Sequence, residues 1–214
     1  MMYDTAFKIQ TADFSTLVGA GPVITQLEQV LSYFEGHAHH EDNEVLPLVN
    51  RFDTALVMDF ENQHEEDHRL GDEISKAINL WKVAEGAVAR LKAGRKIFYA
   101  FNEFVAFNLN HMNKEEEFIN AVLWKNYSDE ELHGVTQRII QKIKPQILFE
   151  LSRWMMKSIN VREAMDWLMG VKVSAPAEVF RIYLKMAHEE MPADKWLTIK
   201  ESLFDEALIT EHLN

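Results

Sequence analysis

The chain contains no cysteine among its 214 residues. Disulfides, thiolate metal sites, iron–sulfur ligation and a cysteine nucleophile are thereby excluded together, so any metal must be held by His, Asp, Glu or Tyr. Glycine and proline are scarce, at 8 and 5 residues, and no stretch alternates apolar with polar residues, which leaves little that reads as strand or hairpin. No run approaches the roughly 18 apolar residues a membrane span needs. No basic region followed by an apolar stretch opens the chain, so no secretory signal is visible and a cytoplasmic protein is expected. Positive charge is also short: 22 Lys and Arg against 34 Asp and Glu give a net charge of −12. Nucleic acid and anionic membranes would repel such a chain, and neither is expected as a partner.

What is present is ordinary for a folded protein, with 47% hydrophobic and 26% charged residues. Long stretches rich in Leu, Glu, Lys and Met predict an all-α fold. A first helix is expected from Met1 to about Thr11, with Tyr3, Ala6, Phe7 and Gln10 one turn apart. Thr11–Gly21 reads as a loop, and Pro22 is placed to open a second helix running to about Val49. Asp53 is the expected N-cap of a third helix to Val83, and Gly86 separates it from a fourth, Ala87–Lys125, bent near Gly94. Four helices with short connections predict an up-and-down four-helix bundle over residues 1–126.

After Trp124 the helices become shorter, each with its own start signal. Ser128-Asp-Glu-Glu131 and Asn160-Val-Arg-Glu163 are capping boxes, and Pro145 and Pro176 open further helices. Residues 127–214 are therefore expected to form a C-terminal helical extension, available as a docking surface for a protein partner. Its Trp154, Met155, Met156, Trp167, Leu168 and Met169 are expected in a core rather than on an exposed patch.

Three short words carry the chemistry: His37-Ala-His-His-Glu41, His64-Glu-Glu-Asp-His68 and His111-Met-Asn-Lys-Glu115. Each places two potential metal ligands four residues apart, on one helical face and one turn from each other. At about 100° per residue, His37 and Glu41 fall about 60° and 20° from the centre of the stripe set by Leu27, Val30, Leu31, Phe34, Ala38, Val45 and Leu48. His111 and Glu115 fall at matching angles on the stripe of Ile97, Phe101, Phe104, Met112, Ile119 and Val122. In the third helix His64 is interior and His68 flanking, with Asp67 as a reserve ligand and Gly71 leaving room for a neighbour. Buried carboxylates without a cation cost several kcal/mol, about what a metal would offset, so two Glu and three His aimed inward predict metal binding. His39, His40, Glu44, His133, His188 and His212 are expected to face solvent.

At these residues the chain resembles the hemerythrin-like (HHE) domain family, whose fold is a four-helix bundle around a nonheme di-iron site. The resemblance covers about residues 1–125. His37-Ala-His-His-Glu41-Asp-Asn-Glu-Val-Leu-Pro47 is similar to the family's His, three residues, Glu, apolar pair and Pro; His111 with Glu115 resembles its second such motif. The resemblance implies that His64, His68 and His111 cap one iron, His37 binds the other, and Glu41 and Glu115 bridge them. Members also carry a histidine early on the first helix, whereas none precedes His37 here. Either the start is truncated or that ligand is lost, and a mononuclear, mixed or weakly occupied site becomes an alternative. Tyr3 is the one nearby substitute.

The function implied is iron binding with recognition of a small diatomic ligand such as oxygen or nitric oxide, or of a redox signal. Iron handling or repair of iron centres is the alternative, and a helical interaction protein with a degenerate site the third. A ferritin-like oxidase needs Glu-x-x-His on two helices, but Glu61–His64 and Glu65–His68 share one helix with both Glu off the stripe. No phosphate loop or nucleophile with its base marks an enzyme.

Overall fold

The structure, a computed structural model, describes residues 1–204; His212 lies outside them. Every regular element among the described residues is helical, and none of these helices is long and apolar enough to cross a membrane. The chain divides into two compact units, Met1–Gln141 and Lys142–Asn214. The division falls one helix later than the expected 126/127 position, so the helix opened by the Ser128 capping box goes with the first unit.

In the first unit, α1 (Met2–Thr11) buries Thr5 and Ile9, while Tyr3 and Phe7 are solvent-exposed. The expected Tyr3–Phe7 face is thus the outer one. The side chains of Asp4 and Lys8 instead meet Gln26 on α2 (Leu17–His40). That second helix starts five residues before Pro22, contrary to the loop expected there. Thr16 explains the early start, because its hydroxyl accepts from Gly19 N–H and caps the first turn. Pro22 then removes one bond from a solvent-facing side of the helix, where water can satisfy the freed carbonyl.

Asp53 caps α4 (Thr54–Val83) through Leu56 N–H, as its position predicted, and Gly86 at φ 81° makes the turn into α5 (Ala87–Lys114). Leu27, Val30, Phe34, Ile74, Ile78, Ile97, Phe101 and Phe104 from α2, α4 and α5 form the main core, with Ile9 and Phe14 closing one end. Gly94 is no bend. It seats the Phe14 ring, which a Cβ at Gly94 would overlap, and Phe14 in turn meets Trp81 edge-on at 6.1 Å and accepts the indole N–H at its carbonyl.

At the other end, α2 and α5 each run into a π turn, Glu41–Val45 and Glu115–Ile119, followed by α3 (Leu46–Val49) and α6 (Asn120–Asn126). A π turn inserts one extra residue into the helical register. The residues buried beyond the two turns are accordingly Leu46 and Val49, and then Leu123, while Val45, Leu48 and Val122, which uninterrupted helices would bury, are only partly covered; Ile119, on the expected stripe, is buried at the end of its turn. With Val57 and Phe60 they make a second, smaller core. The helix α7 (Asp129–Lys142), started by the Ser128–Glu131 box, contributes Leu132 to that cluster.

The second unit contains α8 (Pro145–Ser158), α9 (Val161–Ser174), α10 (Ala177–Glu190) and α11 (Ala193–Phe204). Its core joins Met156, Ala164, Leu168, Leu184, Ala187, Met191 and Ile199. Trp167 packs against it, edge-on to Tyr183 at 4.9 Å, whereas Met169 is exposed. The Asn160–Glu163 capping box is formed. Glu190, almost covered, is held by Arg153 and Lys157 of α8.

Candidate metal centre

The two π turns begin at Glu41 and Glu115, the carboxylates of the two His-x-x-x-Glu words. His37 and His111 sit one turn earlier on α2 and α5, and His64 projects between them from the middle of α4. The five side chains converge. Nε2 of His64 is 3.3 Å from Oε2 of Glu41, Nε2 of His111 is 2.8 Å from Oε1 of Glu115, and Nε2 of His37 lies 3.5 Å from Glu115 and 3.8 Å from Glu41. They form two triads, Glu41–His64–His111 and His37–Glu41–Glu115, each with one donor atom per residue within 4.8 Å of the others. Glu41 belongs to both.

Apolar rings enclose one side of this cluster. Phe60 and Phe107 pack on the His111 imidazole at 5.4 and 6.0 Å, and the His64 and His111 rings meet edge-on at 5.1 Å. His64 and His111 are buried, while 42% of the His37 side chain is exposed. The site is therefore closed toward α4 and open at His37.

Behind the donors stands a ring of hydrogen-bond partners. Nδ1–H of His64 donates to Oδ1 of Asp42 at 2.6 Å, and Nδ1–H of His111 donates to Oε1 of Gln63 at 3.2 Å. A carboxylate can only accept, so Nδ1 of His64 carries a proton, and Nε2 carries a second one toward Glu41 while the ring is charged. Gln63 is oriented in turn, because its amide N–H donates to Asp59 and so turns the carbonyl to His111. Both imidazoles present Nε2 to the cluster.

Burial pulls the His64 pKa down, but the hydrogen bonds to Glu41 and Asp42 and their charges outweigh it, raising it to about 9. Burial pushes Glu115 up, yet the adjacent His111 and His37 imidazoles hold it at about 2. His37 is raised as well, where burial opposes and the Glu115 and Glu41 carboxylates prevail. The cluster thus stores carboxylate charge, which it balances with protons on imidazole or with a cation.

Five of the six sequence-predicted ligands are brought together; His68 joins neither triad. Four residues past His64, it lies one turn further along α4 and 40° round, and its Nδ1 meets Glu35 of α2 at 3.0 Å in an exposed pair. The reserve ligand Asp67 is buried but accepts from Asn108 Nδ2 at 2.6 Å, and Gly71 leaves room for Leu31. Tyr3 is exposed on α1. Glu44, expected in solvent, is largely covered and paired with Arg138 of α7 at 3.1 Å. His39, His133 and His188 face solvent, while His40 is half-buried. Glu61 and Glu65 are exposed and belong to neither triad.

A test of fit is available at Glu115. Its Oε1 is fully buried without a hydrogen bond, although two imidazole nitrogens lie 2.8 and 3.5 Å away. Buried polar atoms are seldom left so, and a carboxylate oxygen on which two imidazole nitrogens converge marks a place for a cation, with protons on the imidazoles as its substitute. Donors bonded at about 2.1 Å and at right angles are about 3 Å apart, the range spanned here. Imidazole with carboxylate suits iron, manganese and zinc.

The family model for the hemerythrin HHE cation binding domain matches residues 8–142. The chain belongs to this family. Its members bind metal, typically iron, and the match contains all five converging residues. Neither a curated protein nor a solved structure matches the chain. The end of the match at residue 142 agrees with the end of the first compact unit, so α7 belongs to the HHE domain in both respects.

Proposed function

We propose that the HHE domain of this chain holds two iron ions, one in each triad, and binds or senses a small diatomic ligand such as oxygen or nitric oxide. The observation that carries this reading is the convergence of Glu41, His64, His111, His37 and Glu115, with Glu41 common to both triads. Glu41 would then serve both ions and Glu115 the ion beside His37, with the three imidazoles offering Nε2 as donors. A nonheme iron pair supplies coordination positions that a small molecule can occupy. The chain's own contribution is an asymmetric approach: Phe60 and Phe107 keep water from the His111 side, whereas the partly exposed His37 leaves an entry.

The test is anaerobic reconstitution with iron(II), iron analysis per chain, and then exposure to air and azide. Two irons per chain and a near-ultraviolet absorption characteristic of a coupled ferric pair are expected. One iron without that absorption would replace the di-iron reading by a mononuclear one, and no bound iron would overturn metal binding altogether.

A further inference from the structure

Resting on the metal-binding reading, we infer that Asp42 and Gln63 are positioning residues that make the two metal positions unequal, with Glu41–His64–His111 the tight, preorganised one. Asp42 follows Glu41 directly in the π turn, yet its carboxylate reaches across to α4 and holds His64 at Nδ1. Gln63 precedes His64 on α4 and reaches across to α5, where it holds His111 at Nδ1, itself anchored by Asp59 one turn away. Each imidazole of this triad is therefore fixed in tautomer and ring orientation before any ion arrives, which is the role outer hydrogen-bond partners play at metal sites. Both rings are buried, so little rotamer freedom remains to be lost on binding.

The other triad has no such support. His37 makes its contacts among the described residues through Nε2, toward Glu41 and Glu115, and its ring is partly in solvent. Its third donor, Glu41, is shared with the first triad. A second ion must order His37 and compete for Glu41, so it binds after the first and more weakly. The asymmetry arises from Asp42 and Gln63, two residues that donate nothing to a metal themselves.

The experiment is calorimetric titration of zinc(II) into the metal-free full chain, with ¹⁵N spectra of the His rings after the first equivalent. The parent protein is expected to bind in two unequal steps, with His64 metallated at Nε2 and protonated at Nδ1. Asp42→Ala should weaken the first step about 10- to 100-fold and give His64 bound through a mixture of the two nitrogens. Asp42→Asn keeps a carbonyl that can accept from Nδ1–H and should restore most of the affinity and the single binding mode. Gln63→Leu should weaken the same step and disturb His111. Asp42→Ala removes a partner of buried His64, so its metal-free melting temperature should fall, and all titrations are compared at a temperature where every variant is folded; Asp42→Asn, which keeps an acceptor, separates lost positioning from lost folding. Equal steps in the parent, or a first step unchanged in Asp42→Ala and Gln63→Leu, would overturn the inference while leaving metal binding intact. No zinc uptake by the parent would overturn both.

Discussion

His64 gives the sharpest residue-scale expectation, because its proton and a metal compete for one atom. With the folded pKa raised from 6.5 to about 9, the stabilisation from its ion pairs is fully present below pH 6.5 and is lost as pH rises through about 9. Glu115, lowered from 4.5 to about 2, works in the opposite sense: its contribution is present above pH 4.5 and is lost as pH falls toward 2. The chelated protein should therefore melt highest between these limits and lose stability from neutral pH to pH 9, whereas metal affinity should rise over that same interval. Thermal melts and metal titrations at several pH values check this; a chelated melting temperature that climbs from pH 6.5 to 9 would contradict it. At the far end of the bundle, Gly94→Ala would drive a methyl into Phe14, whose Cδ1 lies 2.7 Å from the added carbon. Overpacking of this kind costs about 1–3 kcal/mol, measurable as a lower urea midpoint with metal binding unchanged. Helical angles alone made the convergence of His37, Glu41, His64, His111 and Glu115 legible in the sequence, because ionisable residues on a core-facing stripe stand out against apolar neighbours. Asp42 and Gln63 were not legible. Their partners lie on other helices, 22 and 48 residues away in the chain, and no pattern within one helix reports such a pairing.

At the scale of the element, the two π turns join sequence register to the site. Both start at a candidate carboxylate, and both shift the apolar pattern by one residue. The shift is the reason the sequence stripe selected Val45, Leu48 and Val122 where the structure buries Leu46, Val49 and Leu123: uniform helical periodicity cannot register an inserted residue. Deleting the exposed Asn43 would return Leu46 and Val49 to ordinary α phase with Ala38 and Glu41. The core contacts would then survive, but Asp42 and Glu41 would lose their placement toward His64. The expected result is a metal-free melting temperature close to the parent with weakened metal binding, read by melting and titration together. Loss of folding in the deletion would show that the π turn serves the core instead. The early start of α2 was hidden for a similar reason, since Pro22 is a stronger start signal by composition than Thr16, yet the Thr16 hydroxyl makes the cap.

At the scale of the whole molecule, the five donors and both cores that frame them belong to residues 1–141, while the second unit has a separate core of its own. A chain ending after Gln141 should keep its helical circular dichroism and its metal stoichiometry, and elemental analysis of that fragment checks it. Cutting at residue 126, where the sequence alone placed the boundary, removes the Arg138 partner of Glu44 and the Leu132 contact to the second core, and should lower the melting temperature relative to the longer fragment. Both triads contain Glu41, so metal content per chain in Glu41→Leu decides whether one carboxylate serves both. Glu41→Leu also removes a partner of buried His64 and so lowers the stability of the metal-free fold, and metal content is read at a temperature where circular dichroism shows the variant folded. This variant, folded and reconstituted alongside the parent, should lose metal from both positions; a full complement of metal in Glu41→Leu would show that the two triads do not share Glu41.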